Sequence, residues 1–226
     1  MIREDCWLKD KCNHIDCDKF CMRNYKLSYL YDAALISMEQ RKHMNLVTDS
    51  DGTDLEEFKT LAVIQKNIKA FVEDGSQLYL HSQTTGSGKT SWALRLCQTY
   101  LEQVWPTSKL ECRVLFINTP KFLIALKDNI SEKSEYASYI KENVLKADLV
   151  VWDDIATKAT TVFEAENLFS IIDMRISSGK SNIYTSNLTQ SELHECMGDR
   201  LASRVCTASL DIEFHGKDKR GIKYEN

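Results

Sequence analysis

A short run in the middle of the chain combines closely spaced glycines with a lysine and a threonine, as phosphate-binding loops do. The run is Gly86-Ser87-Gly88-Lys89-Thr90. In such a loop the backbone N–H groups surround the β-phosphate, the lysine reaches the β- and γ-phosphates, and the hydroxyl binds Mg²⁺. The residues predicted to bind the nucleotide are Thr85, Gly86, Ser87, Gly88, Lys89, Thr90 and Ser91.

One position departs from the full pattern G-x-x-x-x-G-K-[ST]. Gln83 stands where the first glycine belongs, and we expect it to require a backbone conformation that glycine adopts more easily. The alternative is a surface loop that matches by chance. An apolar strand before the loop and an amphipathic helix after it favour the phosphate-binding interpretation.

A second motif consists of paired carboxylates after an apolar run. The sequence Leu149-Val150-Val151-Trp152 is followed by Asp153 and Asp154. This pattern is typical of a Walker B strand, in which Asp153 would hold Mg²⁺ through water or through Thr90, and Asp154 would polarise the attacking water. The alternative is an ordinary polar strand end.

These motifs lie within an alternation of short apolar runs and longer amphipathic segments. Strands are predicted at 78–81, 113–118, 149–152 and 182–185, and helices at 26–44, 55–73, 89–102, 121–128 and 164–176. Strands separated by segments of helical length predict βαβ units. The fold class is therefore α/β, with a parallel sheet flanked by helices on both faces.

Residues 55 to 223 resemble a known family, the AAA+ helicase loaders of bacteria and their phages, which include the DnaC- and DnaI-like proteins. Besides the two Walker motifs, the resemblance rests on Tyr184-Thr185-Ser186-Asn187 and on the stretch Gly198–Val205, which matches the family segment G-[ED]-R-[hydrophobic]-x-x-R. It also includes the segment from Ser209 to Arg220. The resemblance implies an AAA+ P-loop NTPase core that binds ATP and Mg²⁺ and lacks a full lid domain.

The resemblance also implies roles for three residues outside the Walker motifs. Asn187 corresponds to sensor 1, and it closes an apolar strand at the sheet edge where α/β proteins bind ligands. Arg204 corresponds to an arginine finger that a neighbouring subunit supplies, with Arg200 as the alternative. Arg220 corresponds to sensor 2, with an exposed charge cluster as the alternative. With Lys89, Asp153 and Asp154, these residues form the predicted catalytic set.

The amino-terminal segment is rich in cysteine and lacks a clear apolar period. Cys6, Cys12, Cys17 and Cys21 are the predicted zinc ligands, with His14 as the substitute. Reduced thiols or a redox switch are the alternatives. The resemblance implies that this segment docks on a helicase, so we expect a zinc-binding domain at residues 1–50 and an AAA+ domain at 51–226.

Composition excludes several classes of protein. Apolar residues make up 43% and charged residues 27%, with only 8 Gly and 2 Pro in 226 residues, which argues against collagen and low-complexity disorder. No apolar run is long enough to cross a membrane, and no secretory signal is visible. A net charge of −4 argues against a generally basic nucleic-acid coat. We expect a cytoplasmic protein of bacteria or of a phage-infected host.

Together these features predict an ATP-dependent loader of the replicative DnaB-type hexameric helicase onto single-stranded DNA. It would assemble as a ring or spiral on the helicase and hydrolyse ATP slowly. Lys121 and Lys127 are candidates for contact with the DNA strand, and the short front domain favours a phage or prophage origin. The alternatives are a transposition-helper ATPase, a phage decoy that binds the helicase without loading it, and a P-loop small-molecule kinase.

Overall fold

The computed structural model describes residues 6–9, 12, 17, 20–42, 46, 48, 52–128, 133–156 and 160–219. In the described residues the helices are α1 (Met22–Ala33), α2 (Leu55–Lys66), α3 (Ile68–Glu73), α4 (Lys89–Val104), α5 (Thr119–Asp128), α6 (Glu135–Asn143), α7 (Val162–Ser177), α8 (Gln190–Met197) and α9 (Asp199–Thr207). The strands are β1 (Gln77–His81), β2 (Val114–Asn118), β3 (Leu149–Asp153), β4 (Ser181–Ser186) and β5 (Ser209–Glu213). In this described part, no helix is long and apolar enough to cross a membrane.

The five strands form one parallel sheet in the order β2-β3-β4-β1-β5. This confirms the predicted α/β class with a parallel sheet. Strand β1, which leads into the phosphate loop, lies between β4 and β5 and is buried along its whole length. The carboxyl ends of the strands therefore meet around the loop, at the edge where open α/β sheets bind ligands.

The sheet is buried on both faces because alternate residues of each strand point in opposite directions. Leu78, Leu80 and Ile183 pack with α1, α2, α3 and α4 in one hydrophobic cluster. Tyr79, Trp152 and residues of α5, α6, α7, α8 and α9 form the second cluster on the opposite face. Helices therefore cover both faces, as the continuous apolar runs predicted.

Helix α1 and the residues after it pack against the α/β core. Leu27, Leu30 and Tyr31 belong to the same buried cluster as helix α4. The backbone N–H of Phe116 donates to the carbonyl of Ala34 at 2.9 Å, so the chain after α1 pairs with the outer edge of β2. Covering an edge strand in this way protects its unpaired backbone groups. The boundary at residue 50 stays a prediction.

Two helices end earlier than the apolar pattern predicted. Helix α1 ends at Ala33 instead of near residue 44, because Leu35 adopts a φ of 60°. The N–H groups of Leu35 and Ile36 donate to the carbonyls of Asp32 and Tyr31, both at 3.0 Å, which is a Schellman motif. Glycine normally occupies the left-handed position of this motif, so Leu35 did not indicate the end of the helix in the sequence.

The predicted helix at residues 55–73 is divided at Asn67. The Asn67 side-chain amide donates to the carbonyl of Val63 at 3.0 Å, and its backbone leaves the helical region with φ −107° and ψ 25°. Asparagine side chains compete for backbone groups in this way. Beyond β5, the described residues up to 219 contain no helix, and the absence of a full lid stays a prediction.

Candidate nucleotide-binding site

The phosphate loop connects the end of β1 at His81 with the start of α4 at Lys89. Gly86 and Gly88 have φ values of 74° and 110°, in the left-handed region that glycine tolerates best. Gly88 is the N-cap of a helix of 16 residues, so the first N–H groups of α4 face the loop. The loop is thus shaped to surround an anion.

The expectation for Gln83 was wrong. Among the described residues, positive φ occurs outside glycine at Leu35, Asp54 and Asp154, and Gln83 is not one of them. The loop therefore passes this position without a positive φ, so the backbone here does not require glycine. The exposed Gln83 side chain is compatible with this geometry.

Lys89 places its ammonium group inside the loop although the residue is only 6% exposed. Its Nζ donates to the carbonyl of Thr84 at 3.1 Å, to the Oγ of Ser87 at 3.3 Å and to the carbonyl of Ser82 at 3.4 Å. Loop carbonyls thus direct the positive charge to the concave side of the loop, where a phosphate would lie.

The two Walker motifs meet through a direct hydrogen bond. The Oγ1 of Thr90 donates to the Oδ1 of Asp153 at 2.8 Å, and the Oγ1 of Thr185 donates to the same oxygen at 2.8 Å. Burial raises the pKa of Asp153, and the bonds from Thr185 and Thr90 offset this increase only in part. A divalent cation beside the carboxylate would favour its charged form.

Asp154 follows the strand in an unusual backbone conformation, with a φ of 53°. Its N–H donates to the Oγ1 of Thr185 at 2.9 Å, and the N–H of Ile155 donates to the Thr185 carbonyl at 2.9 Å. The neighbouring strand β4 therefore holds the turn that carries the second carboxylate. No sequence motif indicates this role for Thr185, because its contacts cross between strands.

The residues present fit ATP and Mg²⁺. A glycine-bounded loop at a helix N-terminus, with a buried lysine, suits a triphosphate. The hydroxyl of Thr90 and the carboxylate of Asp153 supply oxygen ligands of the kind that Mg²⁺ prefers, 2.8 Å from each other. Of the other predicted loop residues, Thr85 is exposed and Ser91 is partly buried.

Asn187 lies at the same edge of the sheet. It follows Ser186, the last residue of β4, which pairs with His81 at the end of β1. The N–H of Ser82 donates to the carbonyl of Ser186 at 3.3 Å, so the start of the loop is attached to this strand end. The register thus places Asn187 beside the loop, and its role as a sensor stays a prediction.

Arg204 and Arg200 lie on α9 and contact α7. The Nε of Arg204 is 2.7 Å from the Oδ1 of Asp173, and the Arg204 side chain is 50% exposed. The guanidinium of Arg200 lies 4.1 Å from the ring centroid of Phe169. The structure therefore places both arginines on a flank of the domain, and the assignment of a finger to either one stays a prediction.

The segment after β5 passes along the phosphate loop. The N–H of Lys219 donates to the carbonyl of Gly86 at 3.0 Å. Both oxygens of the buried Asp54 carboxylate accept backbone N–H groups of this segment, from His215 at 2.7 Å and from Gly216 at 2.9 Å. Arg220, the predicted sensor 2, lies outside the described residues.

The two lysines suggested for DNA contact are already engaged with side chains. The Nζ of Lys121 lies 4.6 Å from the ring centroid of Tyr136. The Nζ of Lys127 is 2.9 Å from the Oε1 of the buried Glu164. Both lysines retain surface exposure, and a role in DNA contact stays a prediction.

The predicted zinc ligands Cys6, Cys12, Cys17 and Cys21 are all partly buried. The Sγ of Cys6 accepts a hydrogen bond from the side chain of Asn24 at 3.4 Å. No group of three or more His, Cys, Asp or Glu side chains is arranged to hold a metal ion among the residues that the structure describes, and His14 lies outside them. The zinc site stays a prediction.

Comparisons with known proteins agree with this geometry. The model of the IstB-like ATP binding protein family matches residues 28–225. The replicative helicase loader DnaC of Escherichia coli K12 is 23% identical over 127 residues, which cover 56% of this chain and 49% of DnaC. The chain therefore matches about half the length of the curated loaders to which it is similar.

Solved structures share the fold at low identity. A putative primosome component from Streptococcus pyogenes serotype M3 has a TM-score of 0.63 at 18% identity, covering 85% of this chain and 98% of that one. The DnaC helicase loader has a TM-score of 0.60 at 20% identity, covering 76% of this chain and 93% of that one. The resemblance to the loader family is confirmed, and the chain belongs to the IstB-like ATP-binding protein family.

Proposed function

We propose that this protein is an ATP-switched loader that places a replicative hexameric DNA helicase on single-stranded DNA. The observation that carries the proposal is the assembled nucleotide site, in which Thr90 and Asp153 are 2.8 Å apart, in a chain similar to the loader DnaC. The assembled phosphate loop and carboxylate support the use of a bound nucleotide, and the similarity to DnaC supports a helicase as the partner.

The residues of the site divide the work of hydrolysis among them. Lys89 and the loop N–H groups bind and orient the triphosphate, while Thr90 and Asp153 hold Mg²⁺. Bound Mg²⁺ supplies charge neutralisation for the transferring phosphoryl group. We propose that Asp154 orients a water molecule and accepts its proton, and that Asn187, which follows the end of β4, acts as the sensor.

Hydrolysis is proposed to be slow in the single chain and faster in an assembled ring or spiral. Arg204 lies on a flank of its own domain, paired with Asp173 at 2.7 Å. In an assembly, this arginine would exchange Asp173 for the phosphate charge of the adjoining subunit. An arginine supplied in this way accelerates phosphoryl transfer strongly and makes hydrolysis depend on assembly. Arg200 is the matched alternative on the same helix.

The amino-terminal segment is proposed to dock on the helicase. Its four cysteines, Cys6, Cys12, Cys17 and Cys21, are proposed to bind Zn²⁺, which would order a segment too polar to fold by burial alone. Basic residues lining the assembled ring would contact single-stranded DNA, with Lys121 and Lys127 as candidates. Metal analysis of the purified protein tests the zinc assignment, and about one zinc per chain is expected.

The decisive experiment is reconstitution with purified DnaB-type helicases. Wild-type protein with ATP should form a stable complex with one helicase and increase its loading on a single-stranded circle. Lys89→Ala should lose ATP-dependent loading, whereas Lys69→Ala, an exposed lysine on α3, serves as a control that should retain it. Normal loading by Lys89→Ala, or a complex that forms without loading in the wild type, would overturn the proposal.

A further inference from the structure

Thr185 is a buried threonine on β4 that contacts both Walker carboxylate residues. Its side chain is fully inaccessible to solvent, with an exposure of 0%. The Oγ1 donates to the Oδ1 of Asp153 at 2.8 Å and accepts the N–H of Asp154 at 2.9 Å. One hydroxyl group therefore joins two consecutive functional residues on the neighbouring strand.

The direction of these two hydrogen bonds is determined by their chemistry. A backbone N–H can only donate, and an ionised carboxylate can only accept. The hydroxyl of Thr185 must therefore give its single proton to Asp153 and accept from Asp154. This arrangement uses the hydroxyl as a bridge with one fixed orientation, which a residue lacking a hydroxyl could not reproduce.

We propose that Thr185 is a positioning residue, a clamp that holds the carboxylate of Asp153 and the backbone of Asp154 in their working geometry. Asp154 needs such support because its φ of 53° is unfavourable for a residue other than glycine. The side chain of Thr185 bonds Asp154, and its carbonyl accepts the N–H of Ile155 at 2.9 Å. The turn is therefore held at two successive backbone N–H groups.

The clamp complements the bond from Thr90. Both threonine hydroxyls donate to the Oδ1 of Asp153 at 2.8 Å, but Thr90 is exposed, whereas Thr185 is buried between the strands. Under the proposed function, Thr90 is also a ligand for Mg²⁺. Thr185 is then the donor that keeps Asp153 in place while Thr90 binds the metal. Because Thr185 lies two residues before Asn187, the clamp also links the sensor strand to the carboxylates.

The proposal deepens the proposed function, and it is tested with three variants at β4. Thr185→Val removes the hydroxyl but keeps the shape, and Thr185→Ser restores the hydroxyl. Ser181→Ala is the matched control, because Ser181 is a buried hydroxyl on the same strand that donates to the carbonyls of Phe71 and Val72 at 3.2 and 3.3 Å, at the opposite end. Its loss should leave the carboxylates unaffected.

The first measurement is amide hydrogen exchange at Asp154 in the nucleotide-free protein by NMR. We expect Thr185→Val to exchange this amide at least about tenfold faster, since its acceptor is lost, and Thr185→Ser and Ser181→Ala to stay near the wild type. The second measurement is ATP hydrolysis. We expect kcat of Thr185→Val to fall about 10- to 100-fold, with nucleotide affinity in the absence of Mg²⁺ unchanged.

The outcomes separate this proposal from the proposed function. Wild-type exchange at Asp154 in Thr185→Val, or failure of Thr185→Ser to restore protection, would overturn the clamp. If Thr185→Val does not fold, Thr185→Ser tests the proposal, because this variant must show wild-type amide exchange at Asp154 and wild-type kcat. If the wild type loads no helicase, the proposed function fails, while exchange at Asp154 and hydrolysis still decide the role of Thr185.

Discussion

Substitution of Asp54 should test how the carboxyl-terminal segment is attached to the nucleotide-binding domain. The Asp54 carboxylate is 5% exposed and accepts the N–H groups of His215 and Gly216 at 2.7 and 2.9 Å. The residue also has a φ of 64°, which asparagine and glycine tolerate better than alanine does. Its role therefore combines hydrogen bonding with a backbone conformation, and a series of variants separates the two.

The expected losses follow from these contacts. A hydrogen bond to a charged group contributes about 1.5–3 kcal/mol, so Asp54→Gly, which removes both bonds, should lower the free energy of unfolding by about 3–6 kcal/mol. Asp54→Asn retains one acceptor oxygen and should lose about 2 kcal/mol. Asp54→Ala should be about 0.5–1 kcal/mol less stable than Asp54→Gly, because left-handed strain exceeds the entropy advantage of alanine.

The assay is equilibrium unfolding in urea, followed by far-UV circular dichroism, with m-values compared across the series. Glu56→Ala serves as the control, since Glu56 is an exposed residue of α2 whose ion pair with Lys59 should contribute less than about 1 kcal/mol. If Asp54→Ala is more stable than Asp54→Gly, the left-handed backbone is not a source of strain at this position. If Asp54→Asn is as destabilised as Asp54→Gly, the remaining acceptor oxygen contributes nothing, and the assigned role of Asp54 is wrong.

Three further predictions concern charged groups. Burial would raise the pKa of Glu164, but hydrogen bonds from Thr161 and Lys127 lower this pKa to about 2. The charged Glu164 should therefore stabilise the fold by about 3 kcal/mol above about pH 4.5, and this stabilisation should be lost as the pH falls towards 2. Acid titrations of the wild type and of Glu164→Gln would test this, because the pH-dependent stabilisation should be absent in the variant. Arg175 has an exposure of 0% and donates to the Asn182 side chain at 2.7 Å and to the Ser181 carbonyl at 2.6 Å. Arg175→Ala should lower the free energy of unfolding by about 3–5 kcal/mol, because these acceptors lose their donors. A loss of less than about 1 kcal/mol in urea unfolding would contradict this. Arg204→Ala should bind nucleotide as tightly as the wild-type single chain but should lose the hydrolysis that the helicase stimulates. Stimulated hydrolysis at the wild-type rate would show that Arg204 is not the arginine finger.

Most of the strand positions were predictable because buried parallel strands are continuous apolar runs. The observed strands Leu149–Asp153 and Ser181–Ser186 extend the predicted ranges by only one residue at an end. Helix ends were less predictable. Leu35 ends α1 in a conformation that glycine usually marks, and Asn67 divides a helix whose apolar stripe continues across it. Hydrophobic periodicity reports which face is buried, but not where the backbone leaves the helix.

The candidate site was predictable where its chemistry is contiguous in the chain. A phosphate loop uses neighbouring N–H groups and the next two side chains, so Gly86 to Thr90 identified it without a fold. Gln83 shows the limit of this reasoning, since the pattern suggested a conformational cost that the backbone does not impose.

The α/β class, the phosphate loop and the carboxylate pair could be predicted without a structure, because each depends on residues adjacent in the chain. The groups that meet across strands and helices became visible only in the folded chain. Thr185 bonds Asp153 across 32 positions, and Asp54 bonds His215 across 161. No local pattern encodes such pairs, since their partners are brought together only when the buried sheet sets the register between distant segments.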